Sequence, residues 1–220
     1  MENFSINSES LFSSKRWRAE VFAPSVESTS KFSHWEIKKL KLICSESRGA
    51  KDPAEYGTNS FIYIGLENIE AIHGTSLNIH SVTSGDVTSR SKVFTTGDIL
   101  FGRLRPYLRK VFLVERPLET GLCSTEFIVI RPNIRFIDPL LLRYLLASPF
   151  FIDQISRMQN GAALPRVSAE DLFNTSIAIP PKKEQEQLGN KLLALRRERQ
   201  EITERLTTIA TKADELTTPR

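Results

Sequence analysis

Cysteine is scarce in this sequence: Cys44 and Cys123 are the only two. Their separation fits no metal-ligand spacing, and such sparing use suits a reduced, cytoplasmic chain. Histidine is equally rare. His34, His73 and His80 lie in loop-like sequence and form neither HxxxH nor HExxH, so no zinc-hydrolase centre is expected. GxGxxG and GxxxxGK[ST] are missing, which removes the common dinucleotide and P-loop sites. No GxSxG elbow occurs among the serines. No apolar run reaches membrane-spanning length, and the opening MENFSINSES has neither the basic nor the apolar region of a secretory signal. Internal repeats are absent too. These absences leave no catalytic residue, metal or cofactor to expect.

What the chain does have is a long amphipathic C-terminus. After Pro180-Pro181, apolar residues recur at Leu188, Leu192, Leu195, Ile202, Leu206, Ile209, Ala213 and Leu216. The steps alternate four and three, and Arg199 fills the one polar slot. This is a heptad seam from about Gln185 to Leu216. At 1.5 Å per residue it predicts a rod of roughly 50 Å. Such a rod needs a partner helix, from its own chain, a second copy or another subunit. Packing on its own domain is the alternative to a coiled coil. Arg199 could fix register or pairing, or snorkel.

The 220 residues suit one domain plus this appendage. The spacing of signals predicts an α+β chain. Residues 1–33 read as a weakly patterned leader, in which Arg16 to Phe22 could be a short helix or strand. Residues 34–179 read as a globular domain of short strands and helices, and 180–216 as the long helix. Strands are expected at Phe61–Ile64, Ile99–Phe101, Val111–Val114, Thr125–Ile130 and Ile177–Ile179, with turns at Gly97-Asp98 and over Glu119–Cys123. Helix starts are expected at Asp138-Pro139, Ser148-Pro149 and Ser168, each with a capping residue in place. Residues 73–90 form a long polar excursion of the kind that often carries function.

The net charge of +4 is mild for a nucleic-acid binder, but it is unevenly distributed. From Arg90 to Arg116 there are seven basic residues (Arg90, Lys92, Arg103, Arg105, Arg109, Lys110, Arg116) against Asp98 and Glu115. With Tyr107 among them, they suit phosphate contacts and bidentate guanine readout. A solvated basic face, or arginines paired with acids, fits the same residues. Asp98 and Glu126 bracket the strand-rich segment as a metal nuclease would require. However, the residue two beyond Glu126 is Ile128 and not a lysine, so a turn role for Asp98 fits better.

Several blocks of this sequence resemble a known family. GDILFGRLRPYLRKVFLV, CSTEFIVIRP, LLRYLLASPFF and NGAALPRVSAEDLFNTSIAIPPKKEQEQL, with YIGLENI and HWEIKKLKLI before them, occur in the order seen in specificity (S) subunits of type I restriction–modification systems. The resemblance covers roughly residues 34–216. It implies a non-catalytic DNA-reading subunit that directs methyltransferase (M) and nuclease/translocase (R) subunits to a split site in double-stranded DNA. It also implies two recognition domains held apart by two long antiparallel helices, whereas this chain has one of each. A homodimer through the helix is the simplest completion, with Leu188, Leu192, Leu195, Ile202, Leu206 and Ile209 as seam residues. Pairing with a second half-subunit, or a fragment of a longer protein, are the others. By position, phosphate contacts fall to Arg103, Arg105, Arg109 and Lys110. Base reading falls to Tyr107, Arg90, Lys92 and the 73–90 loop, and Arg166 lies in a second DNA-facing loop with Asn160 and Gly161. The competing functions are a coiled-coil adaptor with no nucleic-acid role and a metal-dependent nuclease.

Overall fold

The apolar runs ILF, VFL and FIVI contain no polar alternation, which is the pattern of strands buried on both faces. The computed structural model, which describes residues 34–87, 89–161 and 164–217, makes them one sheet. In it β2 (Cys44–Glu46), β10 (Phe127–Pro132), β7 (Ile99–Gly102) and β8 (Val111–Leu113) lie side by side in that order, all antiparallel. The two-residue period sorts their side chains. Ile99, Phe101, Val111, Leu113, Ile128 and Ile130 enter one core, while Leu100, Phe112, Phe127 and Val129 enter another on the opposite face.

The first core is closed by helices: α1 (Pro139–Leu146), α2 (Pro149–Ser156) and α3 (Ala169–Asn174). Each starts as its sequence predicts. Asp138, Ser148 and Ser168 accept a hydrogen bond from the backbone N–H of the third helical residue, at 2.9, 3.2 and 3.0 Å. Leu142, Leu146, Phe151, Ile155 and Leu172 face the sheet, and each buried side chain of this size contributes about 1.5–3 kcal/mol. The second core is closed by another sheet, ordered β3 (Ala50–Lys51), β6 (Ser91–Thr95), β9 (Thr120–Cys123), β4 (Phe61–Ile64) and β5 (Ser81–Val82). Only β4 and β9 run parallel in it. A separate pair, β1 (Glu36–Lys39) with β11 (Ser176–Ile179), brings the start of the described chain to the root of the C-terminal helix.

Two features depart from the sequence expectation. Glu119–Cys123 is not a turn: Thr120–Cys123 is an inner strand between β6 and β4. Gly121 looks like turn punctuation, yet it serves close packing. A Cβ there would lie 2.6 Å from the Ile62 carbonyl oxygen and 2.6 Å from the Phe94 ring. With a strand on each side the backbone cannot retreat, so Gly121→Ala should cost about 1–3 kcal/mol, read as a lower urea midpoint. An unchanged midpoint would show that the sheet yields. Strand β6 carried no sequence expectation. The reading of Arg16–Phe22, and of the leader as a whole, lies outside the described residues.

The long helix, α4, runs from Lys182 to Thr217. Its first turn is tied down from several directions. Gln185 is buried and donates to the Phe136 and Pro180 carbonyls (3.0 and 2.9 Å) while accepting from the Asp138 N–H at 3.3 Å. The Glu184 carboxylate accepts from Trp35 Nε1 at 3.0 Å and meets His34 Nε2 at 2.6 Å. Leu188 and Leu192 are half-buried, and every residue from Glu201 to Thr217 is exposed. The seam position Arg199 turns back to its own domain, with Nη2 at 2.8 Å from both carboxylate oxygens of Glu70. Arg196 pairs with Glu115 at 2.5 Å. The seam thus starts on its own domain and continues beyond the domain as a bare stripe.

Candidate nucleic-acid interface

The basic segment lies in the connection between β7 and β8, and its geometry follows from Pro106. Arg105 and Arg109 flank a single 3-10 turn at Pro106–Leu108, and both adopt the left-handed region, with φ of 48° and 55°. Non-glycine residues rarely do so, and such strain concentrates at functional loops. Gly102 N–H donates to the Lys110 carbonyl at 2.8 Å and closes the base of the loop. A second loop runs alongside. Arg105 N–H donates to Pro165 O (2.8 Å), Val167 N–H to Arg103 O (3.1 Å), and Asn160 and Arg166 exchange two bonds of 2.8 Å. Residues 165–167 are therefore stitched to residues 103–105, and Arg166 in turn to Asn160.

Of the eight candidate contact residues, four have their polar heads engaged inside the fold. Lys92 Nζ donates to Phe127 O at 2.7 Å and lies 3.9 Å from Glu46; burial pulls its pKa below the usual lysine value. Lys110 Nζ donates to Leu66 O, and Arg109 Nε to Ala147 O, each at 2.6 Å. Arg166 grips both Glu126 oxygens at 2.7–3.0 Å, and that hydrogen bonding raises its pKa. The other four differ. Arg90 and Arg105 are exposed, and Tyr107 is 52% exposed. Arg103 is half-buried, with Nε hidden from solvent and without a hydrogen-bond partner among the described residues. Arg103, Arg105 and Tyr107 thus share one loop with Arg166 beside it, while Lys92 is close enough to Arg103 for their charges to interact. Arg109 points elsewhere, into a cleft with Arg143, Arg196 and Arg199. What reads as one basic run is thus divided, with Arg109 turned to this cleft.

The carboxylates considered for metal chemistry are occupied. Asp98 is buried on Arg131, and Glu126 is held by Arg166. Among the described residues, no group of three or more His, Cys, Asp and Glu side chains could hold a metal ion. Both thiols are buried, and burial pushes each up to about 12, far from reactive. The residues that sequence reasoning did not reach are Arg143, Glu70 and Glu115. A signal existed for Arg143, an arginine set in the apolar face LLRYLL. Glu70 and Glu115 carry no such signal, because their partners lie on α4, far along the chain.

The domain with its projecting helix is similar to known proteins. The chain belongs to the family described as type I restriction modification DNA specificity domain, whose model matches residues 33–210. It is 25% identical over 159 residues to the specificity subunit of the type I restriction enzyme EcoDI from Escherichia coli, covering 72% of this chain and 34% of that protein. Against the HindI specificity subunit of Haemophilus influenzae it is 25% identical over 133 residues, 59% of this chain and 26% of that one. The crystal structure of the HsdS subunit from Thermoanaerobacter tengcongensis superimposes with a TM-score of 0.67 at 32% identity, covering 83% of this chain and 46% of that one. The S subunit of M. genitalium, at 16% identity and a TM-score of 0.55, shares the fold. The chain spans about a third or less of its curated relatives and just under half of the solved ones. No described helix is long and apolar enough to cross a membrane.

Proposed function

We propose that this chain is a half-sized specificity subunit. Residues 34–179 read one half of a split site in double-stranded DNA, and residues 180–216 act as spacer and pairing element. Two copies join through antiparallel α4 helices, and the dimer guides M and R subunits in the cytoplasm to a palindromic split motif. The observation that carries this is the unbroken family match across domain and helix, residues 33–210, combined with a seam left bare beyond Arg199. The chain itself performs no chemistry; methylation and cleavage belong to its partners.

Within the domain, Arg103, Arg105 and Lys110 contact phosphates, Arg109 contacts one from the separate cleft it lines, and Tyr107, Arg90, Lys92 and Arg166 contribute to the reading face. Arg105, Arg103, Tyr107 and Arg90 are the readier half, since their side chains hold no hydrogen-bond acceptor among the described residues. Lys92, Lys110, Arg109 and Arg166 must exchange an internal partner for DNA. Replacing Arg103 and Arg105 together by alanine should weaken duplex binding broadly. It should also lower the slope of log K against log salt by about one unit for each phosphate no longer neutralised. A slope equal to that of the parent protein would count against phosphate binding at these positions.

The decisive experiment is single-molecule methylation mapping of the genome with the gene intact and deleted. Loss of methylation at one split motif on deletion is the expected result, and a palindromic motif points to the homodimer. An asymmetric motif points to a second half-subunit. An unchanged methylome under conditions where the gene and its methyltransferase are expressed would overturn the reading.

A further inference from the structure

Arg143 is 4% exposed, and its hydrogen bonds go to two carbonyls: Nε to Val111 O at 2.9 Å, and Nη2 to His73 O. Its ring contact is with Tyr144, at 4.5 Å. No carboxylate pairs with it among the described residues. A buried guanidinium without a counter-ion is costly, because carbonyl dipoles replace only part of its hydration. The neighbours make the imbalance worse. Arg109, Arg196 and Arg199 line the same cleft between α1, α4 and the loop around Gly74. The local carboxylates are Glu70, held by Arg199, and Glu115, held by Arg196. Four guanidiniums against two carboxylates leave an excess of two positive charges. Burial first, and then repulsion from Arg196, Arg109 and Arg199, pulls the Arg143 pKa down to about 10.

We propose that this cleft is an oxyanion site that takes one phosphate group, with Arg143 at its floor and Arg109, Arg196 and Arg199 around it. The volume, about 280 Å³, is below the usual range for drug-sized organic ligands and suits a small anion with its waters. Gly74 lets its loop pack directly against the Arg143 guanidinium. It has φ of +58°, and a side chain there would collide with the Arg143 guanidinium and the Val111 carbonyl. A bound phosphate would bridge guanidiniums from three elements, α1, α4 and the β7–β8 connection, and so neutralise the positive charge that their two salt bridges leave over. It would therefore brace α4 against the domain at the point where the helix leaves it. The occupant could be free phosphate or a backbone phosphate of DNA. Neither source requires sequence recognition by the domain.

The test is calorimetric titration of the full chain with inorganic phosphate, against sodium chloride of matched ionic strength. One phosphate per chain is expected, weakened roughly tenfold or more in Arg143→Met, since a charge-assisted bond is worth about 1.5–3 kcal/mol. Arg196→Gln, on the helix surface, provides a variant whose fold is not at risk and should weaken uptake as well. Absence of saturable uptake, or uptake that survives in both variants, would overturn the site. A short duplex of arbitrary sequence then separates the sources. Competition with phosphate identifies the DNA backbone as the occupant, and undisturbed uptake identifies the free ion. Phosphate uptake without any duplex binding would count against the DNA-reading function alone.

Discussion

Leu206→Glu should turn the assembled protein into monomers and leave the recognition domain as stable as before. Leu206 is 62% exposed, in a stretch of helix where every residue from Glu201 to Thr217 is open to solvent. It is not part of the domain core among the described residues, so its replacement cannot loosen that core. Yet Ile202, Leu206, Ile209, Ala213 and Leu216 keep the four-three spacing of a helix-pairing seam. A leucine buried in such a seam contributes about 1.5–3 kcal/mol. A two-fold dimer buries it twice, so truncation alone would cost on the order of 4 kcal/mol, or roughly a thousandfold in dissociation constant. A glutamate adds the penalty of desolvating its charge. Sedimentation equilibrium should show the change in mass, and circular dichroism should show an unchanged melting midpoint for the domain. A dimer that persists would refute the seam, and a wild-type chain that is monomeric at high concentration would refute self-pairing.

The long helix was legible because its signal is local. The four-three period, Pro180-Pro181 before it and the absence of internal proline lie within about forty residues of one another. The same holds for α1, α2 and α3, where Asp138, Ser148 and Ser168 each bond a backbone N–H three residues away. Strands β7, β8 and β10 were legible because burial on both faces writes a continuous apolar run. Strand β9 was not, since Gly121 reads as a turn when only its neighbours in sequence are seen. The reason for the glycine, the Ile62 carbonyl and the Phe94 ring, comes from two other strands. The internal partners of the candidate interface were hidden from the sequence in the same way. Charge density marks Arg90 to Arg116 correctly as basic. The acceptors that occupy Lys92, Lys110 and Arg109 are backbone carbonyls of Phe127, Leu66 and Ala147, which carry no sequence signature. Arg199 reads in sequence as a polar break in a coiled-coil seam, there to fix register or to snorkel. Its salt bridge to Glu70 spans 129 positions and gives it a different task, holding the helix to its own domain.

Asp98 decides between the DNA-guiding function and a metal-dependent enzyme, and stability is the sharper measurement. Its carboxylate is buried and fully engaged. Oδ1 accepts from Arg131 Nε at 2.9 Å. Oδ2 accepts from Arg131 Nη2 (2.9 Å), the Thr95 N–H (2.9 Å) and the Thr95 hydroxyl (3.1 Å). These bonds fix the Gly97 turn that feeds β7 into the centre of its sheet, and Asp98 raises the Arg131 pKa in return. Removing one partner of a buried pair costs about 3–5 kcal/mol. Arg131 is half exposed and can turn to water, which places Asp98→Ala nearer about 3 kcal/mol. Asp98→Asn keeps the shape and the bond from Thr95, so it should lose less, about 1–2 kcal/mol. A carboxylate poised for a metal behaves in the opposite way. Such ligands repel one another when the ion is absent, and removing one relieves that repulsion. The expected order of urea midpoints is therefore wild type, then Asp98→Asn, then Asp98→Ala. A midpoint that rises in Asp98→Ala would reinstate the metal site and reopen the enzymatic reading.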